Sequence, residues 1–522
     1  MQLLKYFAFL CFIILLCLFV TNIFSFCNQS KNKTAIYNKD SSIVHGKALA
    51  AVYCSSCHLF PNPSLLDKKT WQTGVLPAMG PSLGIFQYNW DTYPSRKNDP
   101  DNDKNYYPSS PVITLGQWQN IIDYYTATAP DSLPNQQRNY SIQNNLSLFK
   151  TEIPKFKYAN PATCLVNFDS TLHQLFVGDA ISKKIFRFNK NLQIIDSANT
   201  GGPVVDMHIQ HNKILACNMG IINPNDGKHG TVEYINIANG KMQTDAKPLF
   251  DSLRRPVQVT ETDLNNDGKP DYLICEFGNL QGDLCWMENV GNGKFTRHIL
   301  RAMPGAIKAY INDYNHDGLP DIWALFAQGD ECIMLFTNKG NGNFDQKQVL
   351  RFPPMYGSSS FSLVDFNNDG YADILYTSGD NADYSTILKP YHGVYIFLND
   401  GKNNFKQKYF YPINGCYKAI AKDFDNDGDL DIATIAFFAD YQHQPEESFV
   451  YFENKGNFDF QPYSLPAARL GRWLTMDASD IDGDGKTDLI LGNFSAGPSK
   501  IKSSVNWKQG PPFIVLKNVG KK

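Results

Sequence analysis

A five-residue segment near the beginning of the chain contains two thiols and an imidazole. Its residues are Cys54, Ser55, Ser56, Cys57 and His58. Thiols with this spacing can form covalent bonds with the vinyl groups of haem, and the adjacent imidazole can then bind the haem iron. Zinc binding or thiol redox chemistry is the alternative for such a Cys pair. The segment predicts one haem c attached at Cys54 and Cys57, with His58 as an axial ligand, and hence electron transfer.

Five nine-residue segments in the second half of the chain present oxygen-bearing side chains at alternate positions. Positions 1, 3, 5 and 9 are always Asp or Asn, and position 6 is always Gly. This pattern, with a backbone carbonyl at position 7, is calcium chemistry, so about five calcium ions are expected. An EF-hand is excluded because position 12, where it needs Glu, is Ile274, Ala324, Tyr376, Thr434 or Leu491. The predicted ligands at positions 1, 3, 5, 7 and 9 are Asp263, Asn265, Asp267, Lys269 and Asp271; Asp313, Asn315, Asp317, Leu319 and Asp321; Asp365, Asn367, Asp369, Tyr371 and Asp373; Asp423, Asp425, Asp427, Asp429 and Asp431; and Asp480, Asp482, Asp484, Lys486 and Asp488.

The acidic segments recur every 50 to 58 residues, and the sequence between them repeats a strand pattern. After each segment come a buried-strand run, a second apolar run and an Asn-x-Gly turn that leads to a fourth strand. Residues 161–189 and 203–237 keep this rhythm without the acidic segment. Two weaker and five stronger units predict a mainly β domain at 145–522, a closed seven-bladed β-propeller. Residues 146–153 are expected to close the ring on the C-terminal strand, and an open solenoid is the alternative.

The repeat resembles the FG-GAP/VCBS family, which is known from integrin α-subunit propellers and from many bacterial surface proteins. The resemblance rests on the five acidic segments and on the strands and turn that follow each of them. It implies a propeller with calcium-binding loops.

Residues 42–134 are predicted to form a small all-α domain around the Cys pair. Helices are predicted at 44–53, 67–78 and 114–129, the last with apolar residues at helical spacing. The domain resembles class I monohaem cytochrome c, which implies that Met79 is the second axial ligand of the iron. His45 or an open coordination position is the alternative to Met79.

The first 27 residues combine Lys5 with an apolar run at 6–26 that is long enough to cross a bilayer. An uncleaved membrane anchor, a lipoprotein modified at Cys27 and a cleaved signal peptide are the alternatives. All three place the protein outside the inner membrane, in the periplasm, at the cell surface or in the medium, where haem c attachment takes place. Residues 28–41 are predicted to be a linker.

A propeller of this kind has two chemically different faces. The acidic segments join the first and second strands of their blades, so they lie opposite the long loops between second and third strands. Those long loops, and the connections between blades, carry mixed charges and aromatic rings that suit a carbohydrate or other polar ligand. The residues predicted for this ligand face are Arg254, Arg255, Asp330, Glu331, Asp380, Asp383, Tyr384, Lys389, His392, Arg472 and Trp473.

Two functions from different classes follow. One is an envelope redox protein whose propeller binds a donor, substrate or partner while the haem passes electrons to a periplasmic or membrane redox partner. The other is a surface propeller that binds carbohydrate or protein and has an accessory cytochrome domain. The sequence contains no nucleophile–base arrangement, phosphate loop, or flavin or nicotinamide fingerprint, so it makes no prediction about enzyme activity.

The overall composition adds two expectations. The net charge is −3 and no basic helix is present, which argues against nucleic-acid binding. Six cysteines are scattered singly through strand-like stretches, and we expect buried free thiols rather than disulfides at Cys164, Cys217, Cys275, Cys285, Cys332 and Cys416.

Overall fold

The computed structural model describes residues 39–520, apart from 211, 383, 384, 498–502 and 504. A small helical domain comes first and is followed by seven β-sheets. The predicted signal or anchor segment at 1–27, with Cys27, and most of the linker at 28–41 lie outside the described residues. Within the described part of the chain, no helix is long and apolar enough to cross a membrane.

The helical domain is built from two longer helices with irregular turns and a small hairpin between them. Its helices are α1 Lys39–Tyr53, α2 Lys68–Thr70, α3 Leu76–Met79 and α4 Leu115–Thr128. The turns are 3₁₀ segments at Cys54–Ser56, Pro63–Leu65 and Gly80–Leu83 and a π-helical turn at Trp71–Val75. The hairpin consists of β1 Gln87–Tyr88 and β2 Asp91–Thr92. The three predicted helices are present, but the second is divided by the π-helical turn.

Helices α1 and α4 pack closely because Gly46 lets their backbones approach. A Cβ atom at Gly46 would lie 1.8 Å from the carbonyl oxygen of Asn120. Helix α4 begins at a capping box, in which the Thr114 side chain accepts from the Gln117 N–H and the Gln117 side chain accepts from the Thr114 N–H. The buried core between the helices contains Trp71, Trp118, Ile121 and Tyr125.

The rest of the chain forms seven antiparallel sheets, which we number as blades 1 to 7 in chain order. The first strand after the helical domain is β3 Phe149–Glu152. Blades 1 and 2 contain β4 Thr163–Asp169, β5 Gln174–Asp179, β6 Lys184–Asn189 and β7 Ile194–Asn199, then β8 Val204–Gln210, β9 Lys213–Asn218, β10 Gly230–Ala238, β11 Lys241–Thr244 and β12 Phe250–Leu253.

Blades 3 to 7 are the units that carry the acidic segments. Blades 3 and 4 contain β13 Pro256–Thr262, β14 Asp271–Glu276, β15 Asp283–Gly291 and β16 Lys294–Arg301, then β17 Ala306–Asn312, β18 Asp321–Phe326, β19 Cys332–Asn338 and β20 Phe344–Arg351. Blades 5 and 6 contain β21 Ser358–Val364, β22 Asp373–Ser378, β23 Gly393–Asn399 and β24 Phe405–Pro412, then β25 Cys416–Lys422, β26 Asp431–Ala436, β27 Phe449–Asn454 and β28 Phe460–Tyr463. Blade 7 contains β29 Trp473–Ser479, β30 Asp488–Asn493 and β31 Phe513–Asn518.

Strand β3 completes blade 7 and closes the ring. It pairs antiparallel with β31, with Phe149 opposite Asn518 and Glu152 opposite Val515. The prediction that residues 146–153 would close a seven-bladed propeller on the C-terminal strand is confirmed. Because the first and last parts of the propeller share one sheet, this blade has no missing outer strand.

Polar side chains on the first strands of the blades bind the first strand of the next blade. The Asp206 carboxylate accepts from the Val259 N–H at 3.2 Å, and the Asp477 carboxylate accepts from the Phe168 N–H at 2.8 Å. The six cysteines predicted to be free are unpaired and buried within the sheets, so that prediction is confirmed.

The helical domain docks on the propeller face formed by the second-to-third-strand loops and the connections between blades. Tyr391 donates its hydroxyl hydrogen to the Leu65 carbonyl oxygen at 2.8 Å, and Arg96 donates to the Pro224 carbonyl oxygen at 2.8 Å. Met355, between blades 4 and 5, is 9% exposed and belongs to the hydrophobic core of the helical domain. The predicted ligand face is therefore the face that carries this domain.

Candidate functional site

The Cys pair lies directly after α1, in and just beyond a 3₁₀ turn. Both thiols are free; Cys57 is exposed and Cys54 is half-buried. Burial raises the pKa of the Cys54 thiol to about 11, although a hydrogen bond with Tyr125 opposes the rise. Nδ1 of His58 lies 2.9 Å from the Leu59 carbonyl oxygen. A carbonyl can only accept, so Nδ1 carries the proton and the Nε2 lone pair is available to a metal.

The two alternatives for the second axial ligand lie in different surroundings. Met79 is half-buried at the end of α3, whereas the buried core of the domain is formed by other side chains. His45 is exposed on α1, and its Nδ1 lies 3.4 Å from the Ser41 hydroxyl. The thioether of Met79 is a soft donor of the kind that haem iron binds, so this half-buried side chain has the chemistry of an axial ligand.

The electrostatic environment of His58 includes two charged residues of the propeller. Burial lowers the pKa of His58, and Asp330 and Arg351 exert smaller, opposite effects on that pKa. Asp330 is 8% exposed and accepts hydrogen bonds from Arg301 at 2.8 Å and Arg351 at 2.7 Å. Two guanidinium groups bound to one carboxylate leave this cluster with one net positive charge.

The acidic segments form tight loops between the first and second strands of blades 3 to 7. In blade 3 the Asp263 carboxylate accepts from the N–H groups of Asp267 and Gly268 at 3.1 and 2.7 Å. The corresponding two bonds are made by Asp313, Asp365, Asp423 and Asp480. The glycine at position 6, such as Gly268 with φ 81°, is required by the left-handed backbone.

Position 9 of each loop is a buried carboxylate. These residues, at most 1% exposed, are Asp271, Asp321, Asp373, Asp431 and Asp488. Asp431 accepts from the N–H groups of Asn454 at 2.9 Å and Phe424 at 3.2 Å, which ties the loop to the end of β27. Burial raises the pKa of Asp431 to about 7 and that of Asp488 to about 6. Without a cation, these side chains are buried with insufficient positive charge nearby.

In blades 6 and 7 the carboxylates also converge. One oxygen from each of three side chains lies within 4.8 Å of the other two in the sets Asp423, Asp425 and Asp431, and Asp480, Asp482 and Asp488. A donor set made only of hard oxygens fits calcium rather than a softer transition metal.

Most of the predicted ligand-face residues form hydrogen bonds that stabilise the loops in which they lie. Glu331 accepts from the N–H groups of Gly357 and Ser358 at 3.2 and 2.8 Å. Arg254 donates to the carbonyl oxygens of Asp101 and Asp226, and so joins the two domains. Arg255 donates to the carbonyls of Gly278 and Ile222, Lys389 to Asn381, and Asp380 accepts from the Ala382 N–H. Asp383 and Tyr384 lie outside the described residues.

Seven of the nine described residues of this face are buried, so the expectation of an accessible surface is wrong for Arg255, Asp330, Glu331, Lys389, His392, Arg472 and Trp473. Trp473 is fully buried and donates Nε1–H to the Ala468 carbonyl at 2.8 Å. His392 is 1% exposed. Arg472 is 3% exposed and stacks its guanidinium 3.7 Å from the centre of the Phe437 ring. The Trp473 and Arg472 side chains donate to backbone carbonyl groups of the loops, because a buried carbonyl needs a hydrogen-bond donor.

A cleft remains open beside the docked domain. It has a volume of about 590 Å³ and lies between residues 131–136 and the loops of blades 5 and 6. Nδ1 of His443 lies 3.0 Å from both oxygens of Asp440 at its rim. Asn414 is 3% exposed and donates to Glu447, and its Oδ1 has no hydrogen-bond partner within the described part of the chain. Such a concave site with convergent polar groups suits a polar ligand.

The sequence did not predict which propeller residues contact the helical domain or influence its charged groups. Arg351 at the end of β20 and Met355 and Tyr391 in loops lie far along the chain from the Cys pair, and none of them belongs to a motif. The aromatic rings of the blade 5 loop were the one signal that pointed to this region.

The comparisons with known proteins concern the propeller. A family model described as FG-GAP-like repeat matches residues 263–324 and 313–376. The match is confined to residues 263–376, in blades 3 to 5. Each matched range begins at position 1 of an acidic loop and ends inside the second strand of the next blade, so it spans one blade-to-blade repeat and crosses one blade boundary.

Two curated relatives are similar to a part of the chain. Integrin alpha-3 of Cricetulus griseus is 26% identical over 183 residues, which is 31% of this chain and 17% of the relative. Cartilage acidic protein 1 of Xenopus tropicalis is 29% identical over 170 residues, 30% of this chain and 24% of the relative. The chain thus spans a quarter or less of the length of these relatives.

Two solved structures align with this chain at lower sequence identity than the curated relatives. Saccharomyces cerevisiae Sqt1 aligns with a TM-score of 0.43 at 10% identity, over 73% of this chain and 100% of its own. The periplasmic gluconolactonase of Pseudomonas aeruginosa aligns with a TM-score of 0.39 at 13% identity, over 59% of this chain and 87% of its own.

Proposed function

We propose that this protein works outside the cytoplasm as a binding protein with an electron-transfer domain. A calcium-loaded FG-GAP propeller binds a protein or carbohydrate ligand, and the helical domain docked on it holds one haem c. The FG-GAP-like repeats and the similarity to segments of integrin alpha-3 and cartilage acidic protein 1 support the binding role and a surface or extracellular location.

The arrangement of Cys54, Cys57 and His58 is the observation that supports electron transfer. Two reduced thiols flank a 3₁₀ turn at the end of α1, and the hydrogen bond to Leu59 directs the free lone pair of His58 to Nε2. When bound, a haem with His and Met ligands supplies one-electron redox chemistry. The chain's own residues attach the haem at two thiols, orient the imidazole and offer Met79 as the second ligand.

Haem attachment is tested by producing the full chain in a host that attaches haem to c-type cytochromes. Denatured protein in alkaline pyridine should show the spectrum of one covalently bound haem, which Cys57→Ser should alter and the neighbouring Ser56→Ala should not. Met79→Ala should abolish the weak long-wavelength band of thioether–iron ligation, whereas His45→Ala should retain it. Wild-type protein without covalent haem would contradict the electron-transfer role.

The calcium part of the proposal rests on the buried carboxylates at position 9. A divalent cation would neutralise several carboxylates per loop, so removing it should destabilise the blades. Thermal unfolding in calcium and in excess chelator is the direct test. Identical unfolding temperatures in the two solutions would contradict the assignment.

The cleft at Asn414, Asp440 and His443 is our candidate for the ligand site of the propeller. The calcium-loaded full chain can be applied to an array of oligosaccharides and an array of immobilised extracellular proteins. His443→Ala should weaken a genuine ligand by about tenfold, since it removes a polar contact from the rim. His298→Ala, on β16 of blade 3, is the matched control and should bind normally. Ligand binding that His443→Ala leaves unchanged would place the site elsewhere.

A further inference from the structure

We propose that the β1–β2 hairpin of the helical domain binds a neutral saccharide, with Trp90 as its stacking surface. The strands pair Gln87 with Thr92 and Tyr88 with Asp91, so the connecting loop consists of only Asn89 and Trp90. This site uses neither the predicted haem nor the calcium loops, and it lies apart from the cleft at His443.

The backbone of this loop is unfavourable for the residue that occupies it. Both loop residues have a left-handed backbone, with φ of 47° at Asn89 and 72° at Trp90. A two-residue hairpin loop of this kind favours Asn followed by Gly. Asn89 meets the preference, whereas Trp90 places a bulky side chain where only glycine is free of steric strain.

Packing does not compensate for the strain. The Trp90 side chain is fully exposed, with a relative accessibility of 104%. Because this aromatic ring buries no apolar surface, it does not contribute to the stability of the fold. A residue that breaks a local rule without a structural benefit points to a role in binding.

The surroundings of the indole indicate the class of ligand. Trp90 borders an open groove of about 520 Å³ whose other lining side chains include Gln87, Tyr88, Asn89 and Gln119. None of the seven lining residues carries a charge, so an anionic ligand would find no counter-ion in the lining. Aromatic rings that stack on the C–H face of a sugar, beside amides that bind its hydroxyl groups, suit an uncharged saccharide.

One of the amides is held in a defined orientation. The Tyr88 hydroxyl donates to Oε1 of Gln119, and Nε2 of Gln119 donates to the Asp123 carboxylate at 2.9 Å. The side chain therefore cannot rotate freely, which reduces the entropy cost of binding a ligand.

The test uses the variant Trp90→Gly, which removes the indole and restores the residue that the turn favours. We expect the unfolding temperature of the full chain to stay unchanged or to rise, so loss of binding cannot be attributed to misfolding. The probes are hexasaccharides of glucose, mannose and N-acetylglucosamine, measured by titration calorimetry. Wild-type protein should bind at least one of them, and Trp90→Gly should weaken that binding at least tenfold.

The controls separate this hairpin from other sites. Tyr140→Ala removes another exposed aromatic ring and should bind like wild-type protein. His298→Ala, on β16 of the propeller, should also bind normally, because that residue lies outside the hairpin. The proposal is overturned if no neutral hexasaccharide binds, if Trp90→Gly binds as tightly as wild type, or if only a protein ligand depends on Trp90.

Discussion

Arg351 of the propeller donates from Nε to the Asp330 carboxylate at 2.7 Å, and the charges of both residues act on the pKa of His58 in the helical domain. Arg301 donates to the same carboxylate at 2.8 Å, so the cluster has one positive charge in excess. The pKa of the predicted haem ligand thus depends on charges from a second domain. Under the proposed function, the propeller is part of the electrostatic environment of the redox centre.

The first prediction concerns that charge. Arg351→Gln removes a positive charge near His58, which should favour oxidised haem and lower its midpoint potential. At an effective dielectric constant of about 20 the change is on the order of 1 kcal/mol, or roughly 40 mV for one electron. Spectroelectrochemical titration of the haem-loaded chain measures it. Arg297→Gln, which removes an Arg bound to Glu276 and Asp283 in blade 3, should leave the potential unchanged.

The second prediction compares two acids of one loop. Asp431→Asn places an amide N–H₂ where two backbone N–H groups donate, and removes a predicted calcium ligand. We expect about 2–3 kcal/mol of destabilisation and weaker calcium binding. Asp429→Asn, at position 7 where only the carbonyl is expected to bind, should change either quantity by less than about 0.5 kcal/mol. Chemical unfolding in calcium, together with a calcium titration, measures both; equal effects of the two substitutions would refute the position-specific roles.

The third prediction is a dependence of stability on pH. Burial holds the pKa of His392 well below its ordinary value, and Lys389 lowers it further. The folded protein then keeps His392 neutral while the unfolded chain takes up a proton below about pH 6.5, so stability falls as pH decreases. This group contributes a slope of about 1.4 kcal/mol per pH unit below that value. His392→Gln should flatten the curve of unfolding free energy between pH 6.5 and 5; a wild-type slope in the variant would contradict the assignment.

The fourth prediction tests the helix crossing. Gly46→Ala would place a methyl group 1.8 Å from the Asn120 carbonyl oxygen, so α1 and α4 must separate. The helical domain should lose at least about 2 kcal/mol of stability, and the yield of haem-loaded protein should fall. Ala48→Gly, on the exposed side of α1, should cost only about 1 kcal/mol from helix propensity. Hydrogen exchange of the α1 amides would separate the two effects.

Much of the fold follows from short-range sequence patterns. The strand rhythm and the Asn-x-Gly turns predict seven blades, and the outer strand at 146–153 could be assigned because it resembles the fourth strands of other blades. The helix at 67–78 was less well predicted, since the π-helical turn at Trp71–Val75 depends on how Trp71 packs against Tyr125. The ligand face was predicted from loop polarity, which cannot distinguish a side chain that awaits a ligand from one that caps a neighbouring carbonyl.

The sequence by itself determined the Cys54–His58 spacing and the five acidic loops, because each depends on residues only a few positions apart, and the number of blades, because the strand pattern repeats at a regular period. Only the tertiary structure decided that the helical domain covers the propeller face predicted for a ligand. It also decided that Arg351 and Asp330 act on the pKa of His58, and that Trp90 stands exposed on its hairpin. The two relationships between the domains join segments that are distant in the chain, and their energies come from packing and charge across a domain boundary, for which a sequence carries no periodic signal. The exposure of Trp90 depends on which surfaces the rest of the fold leaves uncovered.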